Sequence, residues 1–130
     1  MITLDAGLVI AHLYPYDPHH QAATGYLRGS ADQGFLIHSL NLAEVLVGGV
    51  KAGRGQEMLT DLEAIGIHVA DRQDGEPLRL ANLRAGSGLR LPDCCALDTA
   101  LTTASTLATF DDALAKAARQ HHVTVAPGCW

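Results

Sequence analysis

Aromatic side chains, lysine and paired cysteines are all scarce in this chain of 130 residues. Phe, Trp and Tyr together make up 5% of it, so a core must be built from Leu, Ala, Val and Ile. Lys51 and Lys116 are the only lysines among nine basic residues, and the formal net charge is −5. That balance argues against binding nucleic acid through bulk positive charge alone. It leaves room for an enzyme acting on nucleic acid whose surplus carboxylates hold metal ions. The cysteines are Cys94, Cys95 and Cys129, an odd count without a CxxC pair, which excludes a disulfide framework and a zinc ribbon. No apolar run approaches the roughly 18 residues of a spanning helix. The opening Met1–Asp5 has no basic region of the signal-peptide kind. A soluble, cytoplasmic protein with no membrane partner is the expectation. GxSxG, Walker A and dinucleotide fingerprints are missing, and Gly53-Arg54-Gly55 is too short for a phosphate loop.

What is present is a globular composition, 48% apolar and 18% charged. The length suits one domain over 1–130, with no linker, repeat or low-complexity tract to divide it. Short apolar runs alternate with stretches of helical period. Strands are expected at Ile2–Leu4, Phe35–Ile37, Ile67–Ala70, Thr106–Ala108 and Val123–Val125. Helices are expected between them, broken by Pro15 and Pro18, by Gly53–Gly55 and by Gly86–Gly88. Such alternation implies right-handed crossovers and an α/β fold whose central parallel sheet of four to five strands is covered on both faces.

The positions of four acidic residues stand out from the fourteen in the chain. Asp5 ends the first strand, and Glu44 lies in the first turn of the helix after the second. Asp93 opens a helix behind Pro92, and Asp111 follows the fourth strand across Thr109 and Phe110. In a parallel sheet the C-terminal ends of strands and the following helix N-termini share one edge, where ligands bind. Asp5, Glu44 and Asp111 should gather there, joined by Asp93 if its helix starts at that edge. Carboxylates so placed repel one another unless a cation lies between them, and a hard cation such as Mg²⁺ or Mn²⁺ suits oxygen ligands. A structural reading competes at three of the four. Asn41-Leu42-Ala43-Glu44 has the spacing of a capping box with Asn41 as N-cap. Asp93 and Asp111 are equally placed to cap helices or to face their positive ends. Asp5 has no such capping use.

These residues resemble a family. Ile2-Thr3-Leu4-Asp5 followed by Leu8-Val9-Ile10-Ala11 resembles the opening of a PIN-domain nuclease. Ser39–Leu46, carrying Asn41 and Glu44, is similar to its second acidic motif, Leu91-Pro92-Asp93 to its third, and Leu107–Asp111 with Thr109 to its fourth. Four weak motifs in order make a fairly specific match over essentially the whole chain, and the compact length is most like VapC-type toxins of toxin–antitoxin pairs. The resemblance implies a three-layer α/β/α PIN-like fold and a metal-dependent endoribonuclease. In that reading Asp5 and Asp93 are the Mg²⁺ (or Mn²⁺) ligands, Glu44 and Asp111 complete the acidic site, and Thr109 and Asn41 support it. It also implies an RNA substrate, products with a 5′-phosphate and a 3′-hydroxyl, a homodimer and a VapB-like antitoxin partner.

The chain departs from the family where many members carry Asn or Ser two residues after the first aspartate, since Gly7 stands there. That keeps alive a second reading, a catalytically inactive PIN-fold module that binds RNA or a protein. Asp98, about 140° round the helix from Asp93, reads as a surface charge or a salt bridge, and Asp112 as a solvated first-turn charge. His19-His20 and His121-His122 lack a third ligand and read as surface or helix-end residues. Cys94-Cys95 reads as packing. Arg72, Arg79, Arg84 and Arg90 read mostly as solvated helix residues, although any beside the acids could hold RNA phosphates. A phosphoaspartate receiver or a haloacid-type phosphatase is excluded by Asp5-Ala6-Gly7.

Overall fold

The computed structural model describes residues 1–127, so Cys129 lies outside the described residues. The elements run β1 (Ile2–Leu4), α1 (Ala6–Leu13), α2 (His20–Gly29), a 3-10 turn (Ala31–Gln33), β2 (Phe35–Ile37), α3 (Ser39–Lys51), α4 (Gly55–Ala64), β3 (Ile67–Val69), α5 (Glu76–Ser87), α6 (Leu91–Thr103), β4 (Thr106–Ala108), α7 (Asp112–Gln120) and β5 (Val125–Ala126). The five strands form one parallel sheet in the order β3-β2-β1-β4-β5. Ile2 lies opposite Phe35 on one side and Thr106 on the other, so β1 is the central strand. Among the described residues, no helix is long and apolar enough to cross a membrane.

The pleat of these short strands sorts two cores. Ile2 and Leu4 of β1, Phe35 and Ile37 of β2, and Ile67 of β3 point to one face and pack with Leu8, Val9, Ala23, Leu27, Val45 and Leu62 from α1 to α4. Leu107 points to the opposite face and packs with Cys94, Leu97 and Ala100 of α6 and Leu114 and Ala118 of α7. Alternate side chains of a strand face opposite sides, so the sheet is sandwiched between two helical layers, the expected α/β/α arrangement. Small residues let α6 lie close: Cys94 to Ala100 are buried without a break.

Several local details differ from the sequence expectation: β3 ends at Val69 rather than Ala70, and α5 runs through Gly86 to Ser87 before Gly88 ends it. The fifth strand begins at Val125 rather than Val123, because the end of α7 consumes the intervening residues. His122 adopts a left-handed conformation (φ 63°), and the Val123 N–H returns to the Ala118 carbonyl at 2.9 Å. The N-cap of α3 is His38, whose Nδ1 accepts from the Leu40 N–H at 3.0 Å, so Asn41 is not the cap. Finally, α6 starts at Leu91 with Arg90 as its N-cap and Pro92 in its first turn, which makes Asp93 the third helical residue and takes it out of any N-cap role.

The sheet order fixes where a ligand can enter. The chain runs outward from β1 to β2 and β3, then returns to the other side of β1 as β4. The connections leaving β1 and β4 therefore part in opposite directions, opening a crevice beyond their C-terminal ends. Asp5 directly follows β1, and Asp111 lies three residues beyond the end of β4.

Candidate active site

At that crevice lies a cleft of about 350 Å³ lined by Asp5, Glu44, Asp93 and Asp111 together with Gly7, Asp17, His19, Arg90 and Phe110. All four sequence-predicted acids thus meet in one cleft, contributed by four segments of the chain. Asp5 is 8% exposed and precedes the first turn of α1. Thr109, fully buried at the end of β4, donates its hydroxyl proton to Asp5 Oδ2 at 2.7 Å. The same hydroxyl accepts the Asp111 N–H at 3.0 Å, so one threonine ties the two acid-bearing strand ends together. Asp111 is an N-cap as well as a cleft residue: its Oδ1 accepts from the Leu114 N–H at 2.8 Å at the start of α7.

Asn41 joins the remaining two acids. Its buried Nδ2 donates to the Pro92 carbonyl at 3.0 Å and to Glu44 Oε1 at 3.3 Å. It thereby pins the first turn of α3 to the first turn of α6, next to Asp93. Both acceptors must face the amino group, which leaves Asn41 Oδ1 buried with no hydrogen-bond partner. Glu44 itself is exposed, and Asp93 is half-buried.

The electrostatics follow from burial and crowding. Burial, first, pushes the Asp5 carboxyl up to about 6, against the pull of the Thr109 hydrogen bond, and the charges of Asp93 and Asp111 push it further the same way. Asp93 is also raised, chiefly by burial, then by Asp111 and Glu44, with Arg90 opposing. That opposition is weak in geometry: Arg90 Nε lies 3.9 Å from Asp93 Oδ2, and the arginine side chain is 78% exposed. Uncompensated negative charge on hard oxygen donors is the chemistry of a divalent-cation site. The donor set therefore fits Mg²⁺ or Mn²⁺, although among the described residues no three ligand side chains are already drawn into a coordination cluster.

Several cleft residues carried no such assignment from the sequence. His19 and His20 separate in space. His19 stacks on Phe110 in the cleft wall, with ring centroids 4.4 Å apart. His20 turns away, its Nδ1 bonded to the Ala11 carbonyl at 2.9 Å and its ring stacked on His12. Asp17 enters from the loop between α1 and α2; its only sequence signal was a flanking Pro18. Asp98 is a salt bridge rather than a surface charge: Arg79 grips it in bidentate fashion at 2.8 and 3.1 Å, and it faces a small neighbouring cavity with His38 and Glu76. Asp112 is exposed in the first turn of α7. Cys94 and Cys95 are buried packing residues, and burial pushes the Cys95 thiol up to about 11. Gly7 is exposed, and a Cβ there would sit 3.7 Å from Asp5 Oδ2, an ordinary contact.

Residues 2–120 match the model of a family described as the PIN domain. A search of curated protein sequences finds no match. Among solved structures, the chain is similar to a toxin–antitoxin complex from Klebsiella pneumoniae (22% identity, TM-score 0.69, covering 85% of this chain and 87% of that one). It is also similar to FitAcB from Neisseria gonorrhoeae (21% identity, TM-score 0.69, 96% of each chain). A third similar structure is VapBC2 from Rickettsia felis bound to a DNA fragment from their promoter (18% identity, TM-score 0.70, 96% of this chain and 97% of that one). At these identities the structural likeness shows a shared fold.

Proposed function

The chain belongs to the PIN domain family, and from that premise we propose that it is a metal-dependent endoribonuclease toxin, held in check by a cognate antitoxin. The observation that carries the reading is the convergence of Asp5, Glu44, Asp93 and Asp111 in one cleft where, among the described residues, Arg90 is the only arginine or lysine. Asp5 and Asp93 would hold the divalent cation, Mg²⁺ or Mn²⁺, which when bound supplies positive charge at the scissile phosphate and acidifies water. Thr109 orients Asp5 and fixes the Asp111 backbone beside it. Asn41 holds Glu44 at the mouth of the cleft against the start of α6. Glu44 and Asp111, directly or through water, complete the acidic site. Hydrolysis would proceed by in-line attack of water on phosphorus, leaving a 5′-phosphate and a 3′-hydroxyl.

The partners belong to the same proposal. The similar structures include a toxin–antitoxin complex and VapBC2, which supports an antitoxin of the VapB kind for this chain. A basic antitoxin side chain entering the acidic cleft would replace the cation, and the chain would act as a homodimer of single-domain subunits in the cytoplasm. The test is cleavage of end-labelled structured RNAs by the purified chain in Mg²⁺, Mn²⁺ and EDTA, with Asp93→Asn as control. Discrete cuts that need metal and vanish in the variant are the expected result. Failure to cut any RNA, with no Mn²⁺ bound, would leave the inactive binding module as the better reading.

A further inference from the structure

The wall of the acidic cleft has a second chemical character. His19 and Phe110 lie face to face there, 4.4 Å between centroids and 8° from parallel. Phe110 is partly buried and packs on the core beneath, whereas His19 is exposed. One face of the imidazole is thus covered by Phe110 and the other is open. Hydrogen bonding does not account for the ring, since among the described residues its nitrogens have no partner and it makes no side-chain cap. The backbone beneath it is held firmly instead: the His19 N–H donates to Asp17 Oδ1 at 2.8 Å, and its carbonyl accepts from Ala23 at 2.9 Å. Pro18 restricts the approach to it, and Tyr16, wholly exposed, projects from the same loop.

An RNA strand approaching this site meets carboxylates and a chain of net charge −5. Among the described residues Arg90 is the one arginine or lysine on the cleft wall, so phosphate contacts alone offer little affinity. Every unpaired base carries a π-face that stacks on aromatic side chains irrespective of charge. We propose that His19, backed by Phe110, forms a stacking subsite for an unpaired base of the RNA next to the carboxylates. The identity of the ligand rests on the ribonuclease reading; the test of the subsite needs no turnover.

The full chain, as wild type in EDTA and as Asp5→Asn, is titrated with a short single-stranded RNA in which each position in turn carries the fluorescent base 2-aminopurine. Stacking quenches this probe. The expected result is strong quenching at one position, lost in His19→Ala with binding at least about fivefold weaker, and retained in His19→Trp. An abasic residue at that position should erase the difference between wild type and His19→Ala. A purely structural His19 would not be rescued by Trp and would weaken all positions alike. Equal quenching and affinity in His19→Ala, or no quenched position, would overturn the subsite. Cleavage of the same RNA in Mg²⁺ by wild type and not by Asp93→Asn tests the nuclease reading separately. Quenching without cleavage would keep the subsite and sink that reading, and cleavage without quenching would do the reverse.

Discussion

A carboxyl group buried at the end of a strand, hydrogen-bonded to the Thr109 hydroxyl and facing two other acids, is costly to ionise. Asp5 keeps its proton up to about 6 in the folded chain, against an ordinary value of 3.8. A raised carboxyl stabilises the fold fully below its unfolded value and loses that contribution as pH climbs through the folded one. The metal-free protein should therefore lose up to about 3 kcal/mol between roughly pH 4 and pH 6. Asp5→Asn removes the cost, so in EDTA at pH 7.5 its melting temperature should equal or exceed wild type, and the gap should close at pH 4.5. A large fall in melting temperature at both pH values would mark Asp5 as structural. Thr109→Val takes away the hydrogen bond that lowers Asp5 and the acceptor for the Asp111 N–H. It should cost about 1–3 kcal/mol in denaturant melts, and the acid limb of the pH–rate profile should move to higher pH. Gly7→Ser places a Cβ at van der Waals distance from Asp5 Oδ2 in the first turn of α1. Replacing a helical glycine there should raise stability by about 0.5 kcal/mol, and a hydroxyl beside Asp5 should lower its proton affinity, seen by NMR titration of the side-chain carboxyl.

Among the elements, the paired helix starts carry the site. Asn41 binds α3 to α6, and the Arg79–Asp98 pair binds α5 to α6 from the other side. Arg79 is about a third exposed while Asp98 is buried. Arg79→Met leaves Asp98 buried without a partner and should destabilise the fold, water screening keeping the effect below the loss for a fully enclosed pair. Asp98→Ala removes the buried charge along with its partner's role and should cost less, which chemical denaturation of the two variants would show. Sequence periodicity placed every helix and strand, because apolar faces and the Gly and Pro interruptions leave few alternatives in so short a chain. It erred where a cap was at stake. Asn is a common N-cap and His a rare one, so Asn41 read as the cap although His38 takes that position and Asn41 spends its amide on Glu44 and Pro92. It also placed the last strand too early, since a left-handed His122 leaves no signal in an apolar run.

For the molecule as a whole, the strand order was the missing piece. Five parallel strands can be arranged in several ways, and only the return from β3 to the far side of β1 brings Asp5 and Asp111 to one crevice. The four acids were legible because each lies at a strand end or a helix start, which any parallel topology places along the same sheet edge, while the strand order decides which of them share a crevice. The aromatic wall was not, because His19 and Phe110 are 91 residues apart and only the fold brings them into contact. The central claim is that these acids form a site for a divalent cation. Calorimetric titration of Mn²⁺ into the purified chain at pH 7.5 and at pH 5, with Asp5→Asn alongside, tests it most directly. A saturable site at pH 7.5 that weakens at least about tenfold at pH 5, as protons compete for Asp5, and that is lost in the variant is the predicted result. Mn²⁺ binding that is absent at pH 7.5, or unchanged by Asp5→Asn, would contradict it.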